Sequence, residues 1–256
     1  TKFGDMALSY AMKIKVKEAG FIITNYAEYL EKYRSSWEVE IKPVSSWSCF
    51  HGVGRWSVDC GCSTGGHAGW NQKWRKPLRT ALDFLRDEMV NVYTKQAKKY
   101  FKNPEEARNN YINVILDRSD LSVKAFQDEF FNKELDEEQK VRAIELLEIQ
   151  RQAMLMYTSC GWFFSEISGI ETVQIMKYAA RVMQLAKNFT KKDLETQFLE
   201  ILKEAKSNIA EYGTGKDVYE RFVKPSVVTP KQIVCLWAIS SLYTDIEDEE
   251  NVYCYR

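Results

Sequence analysis

Hydrophobic positions recur at helical spacing over most of the second half of this chain. From Trp74 almost to the end, apolar side chains return every three or four residues, which is typical of amphipathic helices packed around one core. Capping and turn residues separate the periodic stretches. The pattern predicts helices at 77–100, 104–116, 119–131, 136–158, 168–188, 191–211 and 229–243.

Local signals predict where three of these helices begin. Asp136 with Gln139, and Ser168 with Glu171, have the spacing of a capping box, in which each residue satisfies a backbone N–H of the other. Pro104 suits a first helical turn, where its missing N–H costs nothing. The second half of the chain is therefore expected to be a helical bundle.

The first 42 residues mix helical and extended patterns. Met6, Tyr10 and Ile14 lie at four-residue spacing, and Gly20 ends that helix. The segment resembles the tail of an α/β unit. The predicted order is a helix at 6–19, a short buried strand at 21–23, a helix at 26–33 capped by Thr24 or Asn25, and a strand at 39–41.

Residues 44–74 show no sustained period. They hold six of the 12 glycines, both histidines and half of the cysteines. Long loops inside compact domains are usually functional or disordered, and the many aromatic and cysteine residues oppose disorder. We expect an ordered, aromatic-rich loop packed over a site. The predicted organisation is an α/β tail at 1–42, a cleft loop at 43–76 and a helical bundle at 77–256.

Composition narrows the class of protein. Lys+Arg and Asp+Glu both number 36, so no basic excess points to nucleic acid. Charges interrupt every apolar run before it could span a bilayer. Cys160 and Cys235 lie in helical apolar patterns and are expected to be buried, reduced thiols, which favours the cytoplasm. Both chain ends look abrupt, as expected of a fragment.

The loop carries the residue types of a sugar site. Tryptophan faces stack on the C–H faces of pyranose rings, and the sugar hydroxyls need amide, cationic or imidazole partners. The alternative is a structural loop stabilised by its tryptophans. The predicted sugar-binding residues here are Trp47, His51, Arg55, Trp56, Trp70 and Gln72.

The same loop also allows a metal site. Thiolate and imidazole together favour zinc, and five such ligands lie close in sequence. Zinc sites usually use Cys-x2-Cys spacing, whereas this chain has Cys-x-Cys, so packed or hydrogen-bonded thiols without a metal are the preferred interpretation. The candidate ligands are Cys49, His51, Cys60, Cys62 and His67.

A second candidate segment is Tyr157–Gly169. A helix break at Gly161 could bring Trp162 and a polar group to a cleft wall, with Glu166 as a general acid or an acceptor for sugar hydroxyls. The alternative is a helix corner whose aromatic residues lie in the core. No nucleophile elbow, phosphate loop or dinucleotide motif occurs in the sequence.

The sequence resembles the glycoside hydrolases of family 57. Residues 24–31 (Thr-Asn-Tyr-Ala-Glu-Tyr-Leu-Glu) resemble the last short region that marks that family, and residues 3–8 resemble the helix start before it. Residues 45–74 and 157–171, with their Cys-Gly-Cys and Cys-Gly-Trp-Phe-Phe segments, resemble the helical domain of unknown function in one branch of the family. The resemblance extends to residues 253–255.

The resemblance implies an incomplete (β/α)7 barrel followed by a helical bundle. It also implies retaining hydrolysis or transfer at α-glucosidic bonds, with the catalytic Glu and Asp in a barrel upstream of Thr1. Residues 46–47 and 159–162 would line the cleft, and Tyr26 and Glu28 would lie near the catalytic face. If the chain were active alone, its candidate acids would be Glu166, Glu28 and Asp59.

We therefore expect the C-terminal helical part of a cytoplasmic family 57-like enzyme, inactive alone and without a cofactor. Its expected partners are an α-glucan or another oligosaccharide and the upstream barrel, with neither nucleic acid nor membrane. Two alternatives remain open: a non-catalytic carbohydrate-binding module and a zinc-stabilised helical interaction domain.

Overall fold

The computed structural model of the chain describes residues 2–43, 45, 49, 51–63 and 65–243, without the side chain of Lys2. The described residues are mainly helical, as predicted, and belong to two compact units, Thr1–Val44 and Ser45–Arg256. The described residues form no β-sheet. Extended backbone contributes two isolated antiparallel bridges, Phe101 with Phe131 and Lys206 with Thr214.

The first unit contains two helical segments. Helix α1 (Lys2–Tyr10) continues through a π-helical turn (Ala11–Lys15) into α2 (Val16–Glu18), and α3 spans Tyr26–Lys32. Both segments were predicted. The Asn25 side chain accepts a hydrogen bond from the backbone N–H of Glu28 at 2.9 Å, so Asn25 is the capping residue of α3.

The two strands predicted in this unit are wrong. Residues 21–23 and 39–41 have no regular structure, and their apolar side chains are exposed, Ile22 at 87% and Val39 at 88%. A strand needs a paired neighbour to satisfy its backbone, and the described residues of this unit supply none. The interpretation of residues 1–42 as the tail of a barrel is not confirmed.

The second unit is a bundle of helices with short connections. The predicted capping box of Asp136 and Gln139 is confirmed, and Asn103 caps the helix that has Pro104 in its first turn. The helices are α4 (Arg75–Gln96), α5 (Pro104–Leu116), α6 (Asp120–Phe130), α7 (Glu137–Leu155), α8 (Cys160–Phe163), α9 (Ile170–Ala186), α10 (Leu194–Leu202), α11 (Gly215–Val218) and α12 (Pro230–Ser240).

The core lies between α4, α7, α9 and α10. Leu78, Leu82, Leu85 and Met89 recur along one face of α4 and are completely buried. Helix α7 packs on α9, and α10 packs on α4. Burying each such side chain contributes about 1.5–3 kcal/mol relative to leaving it in water, so this face holds α4 in the centre of the unit.

The end of one helix and the cap of another differ from prediction. The helix expected at 191–211 ends at Leu202, because the segment that follows makes tertiary hydrogen bonds instead, including one from the Asn208 backbone N–H to Glu166 Oε2 at 2.8 Å. The capping box at Ser168 is also wrong: α9 begins after Gly169, and no side chain caps it. The helical turns at 215–226 were not predicted.

The two cysteines expected in the core are on the surface. Cys160 and Cys235 are both exposed. Cys160 opens the short helix α8, where the buried positions belong to Gly161 and Trp162 instead. Separately, the described helices include none that combines the length and apolar character needed to cross a lipid bilayer.

Candidate metal centre and the contact between loop and corner

Two of the five glycines with positive φ in the aromatic loop, residues 45–74, adjoin candidate metal ligands. Apart from a 3₁₀ turn at Gly54–Trp56, the described part of this loop is irregular. Gly52 follows His51 with φ of 70°, and Gly61 separates Cys60 from Cys62 with φ of 77°. Glycine adopts this conformation at little cost, whereas other residues are strained there. Each candidate ligand pair therefore adjoins a sharp reversal of the backbone.

Four of the five candidate ligands meet at one point. Cys49, His51, Cys60 and Cys62, which we call the thiol cluster, place their ligand atoms within 4.8 Å of one another. The Cys49 sulfur lies 3.7 Å from the sulfurs of both Cys60 and Cys62. His51 Nδ1 lies 3.5 Å from Cys49 Sγ and 3.4 Å from Cys62 Sγ. These residues could hold a metal ion.

The three sulfurs are free thiols. A disulfide would bring two sulfurs to about 2.05 Å, far shorter than the separations observed. Burial raises the pKa of Cys49, but hydrogen bonds with His51, and then with Cys60 and Cys62, outweigh it and lower that pKa to about 6. Burial and the neighbouring thiols raise the pKa of Cys62. The same contacts therefore lower the pKa of one thiol of the cluster, Cys49, and raise that of another, Cys62.

A buried arginine borders the cluster. Arg75 is completely buried at the start of α4, and its Nη1 lies 3.9 Å from Cys60 Sγ. Its Nη2 donates to the carbonyl oxygen of Phe164 at 3.3 Å. Burial lowers the pKa of Arg75, while the charge of Cys60 raises it. A cationic side chain therefore connects the cluster to the segment between α8 and α9.

The fifth candidate ligand lies outside the cluster. The His67 ring stacks on Trp70 with a centroid distance of 3.9 Å and an interplanar angle of 15°. His67 is exposed, whereas Trp70 is half-buried. This pair forms a flat aromatic surface within the loop.

The aromatic loop packs on residues 157–169, which we call the corner. Arg55, which is buried, donates from Nη1 to the carbonyl of Phe163 at 2.9 Å, and its guanidinium lies over the Phe163 ring. Trp74 Nε1 donates to the carbonyl of Ser165 at 3.2 Å. The structure thus brings together the two segments that the sequence singled out.

Asn208 reinforces this contact from a third segment. Its side-chain N–H groups donate to the carbonyls of Asn71 and Ser165, each at 2.8 Å. Its Oδ1 accepts from the Asn71 backbone N–H at 3.0 Å. Loop, corner and the chain after α10 therefore form one hydrogen-bonded junction.

Glu166 is a buried carboxylate whose two oxygens are both occupied. Oε1 accepts from the Ser207 hydroxyl at 2.6 Å and from the Ser168 backbone N–H at 3.2 Å. Oε2 accepts from the Asn208 backbone N–H. This arrangement suits a carboxylate that anchors the junction.

The remaining predicted site residues are dispersed. Trp162 and Gln72 are buried at 0% and 2% exposure, and Trp56 is half-buried against the core. Asp59 Oδ1 accepts from the Gly61 backbone N–H at 3.2 Å. Trp47 lies outside the described residues.

Two further predicted residues belong to the first unit. Tyr26 is exposed. Glu28, which is half-buried, accepts hydrogen bonds from Lys32 Nζ at 2.7 Å and Thr24 at 3.0 Å, and the bond from Lys32 contributes most to lowering its pKa.

Two cavities of the second unit lie outside the thiol cluster and the predicted sugar-binding residues, although Tyr157 of the corner lines the larger one. One of about 660 Å³ lies between α4, α5 and α7, and one of about 630 Å³ lies between α9 and α12. Neither cavity is lined by the thiol cluster or by a predicted sugar-binding residue. The candidate site is therefore the loop and corner surface.

Sequence reasoning missed Arg75, Ser207 and Asn208. Asn208 is 137 residues from its partner Asn71, and its segment reads as helix in the local pattern. Arg75 reads as an ordinary basic residue at a helix start. No local signal separates these residues from exposed polar ones, because their roles depend on contacts between distant segments.

The described structure defines a mainly helical domain that carries a cysteine- and histidine-containing loop at its edge. Residues 70–256 match the model of the family described as Domain of unknown function (DUF3536), and the chain belongs to this family. The prediction of a helical domain of unknown function is thereby confirmed. No curated protein and no solved structure matches the chain.

Proposed function

We propose that this chain forms the C-terminal helical portion of a family 57-like glycoside hydrolase or glucanotransferase that acts on α-glucans. The contact between the aromatic loop and the corner carries this proposal. Arg55 and Phe163 are 108 residues apart in sequence yet share a 2.9 Å hydrogen bond. The resemblance to family 57 assigns both segments to one wall of a substrate cleft, and their contact fits that assignment.

The surface beside this contact offers faces for a sugar. The stacked pair of His67 and Trp70 presents a flat aromatic surface, and Phe164 is 41% exposed. Pyranose rings bind such faces through their C–H groups, while nearby polar groups select the hydroxyls. We assign sugar contact to Trp70 first, and Tyr26 and Trp47 remain candidates through the resemblance.

The catalytic carboxylates are expected in the upstream barrel rather than in this chain. Retaining glycosidases need two carboxyl groups about 5–5.5 Å apart on either side of the scissile bond. The three candidate acids already accept hydrogen bonds within the chain. Glu166 accepts one from Ser207 in the junction, Glu28 accepts from Lys32 and Thr24, and Asp59 accepts from the Gly61 backbone N–H. In this proposal the chain shapes the cleft and is inactive alone.

We also propose a cytoplasmic location. Five of the described cysteines are free thiols, including three that lie close together. Free thiols at such short range persist in a reducing compartment or when bound to metal.

Release of reducing sugar tests the proposed activity. The 256-residue chain would be assayed on soluble starch and maltoheptaose beside a version extended upstream through the barrel. Activity in the longer protein alone would support the proposal. Turnover by the short chain would contradict it and would direct attention to Glu166, Glu28 and Asp59.

Binding of maltoheptaose tests the assigned surface. We expect Trp70→Ala to weaken binding at least about 10-fold, or about 1.4 kcal/mol. Trp237→Ala is the matched control, because Trp237 is a partly exposed tryptophan on α12. Equal loss in both variants, or none in either, would rule out Trp70 as the sugar platform. Binding without turnover in the extended protein would instead favour a carbohydrate-binding module.

A further inference from the structure

We propose that the thiol cluster is a structural zinc site in which Cys49, His51, Cys60 and Cys62 bind one Zn²⁺. Four ligand atoms, three sulfurs and one imidazole nitrogen, converge within 4.8 Å. This convergence is independent of the proposed action on glucans. Zinc prefers four such ligands, and a site closed by four protein ligands stabilises structure rather than activating water.

Four of the six separations between the ligand atoms match a zinc tetrahedron. Zn–S bonds of about 2.3 Å and Zn–N bonds of about 2.05 Å, at tetrahedral angles, place sulfurs about 3.8 Å apart and sulfur and nitrogen about 3.5 Å apart. Cys49 Sγ lies 3.7 Å from both other sulfurs. His51 Nδ1 lies 3.5 Å from Cys49 Sγ and 3.4 Å from Cys62 Sγ. Four measured edges therefore agree with a metal-centred site.

The left-handed backbone of Gly61 allows a Cys-x-Cys pair to bind zinc, although zinc sites usually use Cys-x2-Cys spacing. Knuckles of the Cys-x2-Cys type gain their curvature from an extra residue between the ligands. Here Gly61, with φ of 77°, supplies the curvature between Cys60 and Cys62. Gly52 turns the chain directly after His51, with φ of 70°. Cys60 and Cys62 can therefore reach the same ion.

The charge around the cluster fits a bound zinc ion. A Zn²⁺ bound by three thiolates and a neutral imidazole carries a net charge of −1. Arg75 Nη1 lies 3.9 Å from Cys60 Sγ, and the guanidinium is completely buried. A buried cation needs a compensating negative charge, and the zinc-thiolate centre provides it.

The site would attach the aromatic loop to the bundle. Arg75 connects Cys60 to the carbonyl of Phe164, and Arg55 in the same loop donates to Phe163. Both anchors lie on the corner. A zinc ion that fixes residues 49–62 would therefore hold the loop against α8 in a single arrangement.

Metal content of the purified chain is the first test. The protein, without a histidine tag and in a non-thiol reductant, would be analysed by mass spectrometry for zinc, iron and copper. We expect one zinc per chain. Cys62→Ser and His51→Asn should bind zinc more than about 100-fold more weakly in chelator competition, since changes to outer groups alone cost 10–100-fold.

Matched controls come from the same chain. His67→Asn alters the other histidine of the loop, and Cys160→Ser and Cys235→Ser alter exposed thiols outside the cluster. These variants should retain one zinc. Because ligand variants can fail to fold, Co²⁺ titration of the unaltered chain provides a second readout. The absorption of tetrahedral cobalt and a thiolate-to-cobalt charge-transfer band are expected.

Three results would overturn the proposal. One is a folded chain that contains no more zinc than its Cys62→Ser variant. Another is stoichiometric iron or copper in place of zinc. The third is a Co²⁺ complex without thiolate charge transfer. None of these readouts involves glucan binding or turnover, so failure here and failure of the proposed function are distinguishable.

Discussion

Arg75 Nη1 lies 3.9 Å from the sulfur of Cys60, and this contact is where the helical core meets the thiol cluster. The same guanidinium donates to the Phe164 carbonyl. If the cluster binds zinc, Arg75 is its neighbouring countercharge. We expect Arg75→Met, which keeps the length and removes the charge, to weaken zinc binding about 10-fold or more in chelator competition.

Lys76→Met is the control for this prediction. Lys76 is the next residue in α4 and is exposed, so its substitution removes the same formal charge without disturbing the cluster. Zinc affinity should be unchanged in that variant. Equal affinities for Arg75→Met and the unaltered chain would show that the guanidinium does not compensate the metal centre.

Gly61 is required for its backbone conformation rather than for space. Its φ is 77°, yet a Cβ added there would meet no atom within 4 Å. Gly61→Ala should therefore cost about 1–2 kcal/mol of unfolding free energy, the penalty for a left-handed alanine. It should also weaken zinc binding, since strain at Gly61 opposes the approach of Cys60 and Cys62.

Gly54→Ala tests whether the effect is specific to φ. A Cβ at Gly54 would make ordinary contacts with Cys60 and Val58, at 3.6 and 3.7 Å, without left-handed backbone. Urea unfolding of both variants gives the comparison. Similar losses at the two positions would mean that the loop tolerates no added methyl group, and the argument from backbone conformation would fail.

Gly161 is packed tightly against Ile175 of α9. A Cβ at Gly161 would lie 2.5 Å from Ile175 Cγ2, which is too close for any real contact. We expect Gly161→Ala to destabilise the chain by about 1–3 kcal/mol, as overpacking of a core does. Denaturant unfolding would measure it.

A double-mutant cycle identifies the cause. Ile175→Ala removes the clashing methyl groups and leaves a cavity that the new alanine partly fills. The loss in the double variant should therefore be smaller than the sum of the single losses. Additive losses would show that Gly161 is needed for another reason.

Local signals predicted the helices well but could not predict the junction. The capping box of Asp136 and the placement of Pro104 in a first helical turn depend on residues within one turn, so the sequence shows them directly. Asn208 lies in a segment with a helical pattern, yet its bonds to Asn71 and Ser165 override that pattern. Long-range hydrogen bonds leave no periodic trace in sequence.

The sequence predicted the members of the thiol cluster but not its suitability for a metal. The sequence identified all four residues as candidate ligands, together with His67. The Cys-x-Cys spacing argued against a metal. That argument left out the φ of Gly61, which is a property of the folded loop and cannot be read from the residue type alone. Similarly, Glu166 was singled out as an acid, and its partner Ser207 lay in a region expected to be helical.

Glu148 makes the stability of the bundle sensitive to acid. Its carboxylate accepts from the Tyr111 hydroxyl at 2.6 Å, from Arg118 at 2.8 Å and from Arg151 at 3.3 Å. Burial raises the pKa of Glu148, but the bonds from Tyr111 and Arg118 and the nearby positive charges outweigh it, so the pKa is lower than usual.

The sign of the effect follows from proton binding. In the unfolded chain a glutamate has a pKa of about 4.3, so as the pH falls the unfolded state binds the proton first. The contribution of Glu148 is therefore complete above that pH and is lost as the pH falls through the lower pKa of the folded state.

We expect Glu148→Gln to cost about 1–3 kcal/mol at pH 7 and less at pH 3. Urea unfolding across that range, with Glu134→Gln as an exposed control, measures both. A penalty that stayed constant with pH would mean that Glu148 acts through packing and hydrogen-bond geometry rather than through its charge, because a neutral glutamine would then be no better a substitute in acid than at neutrality.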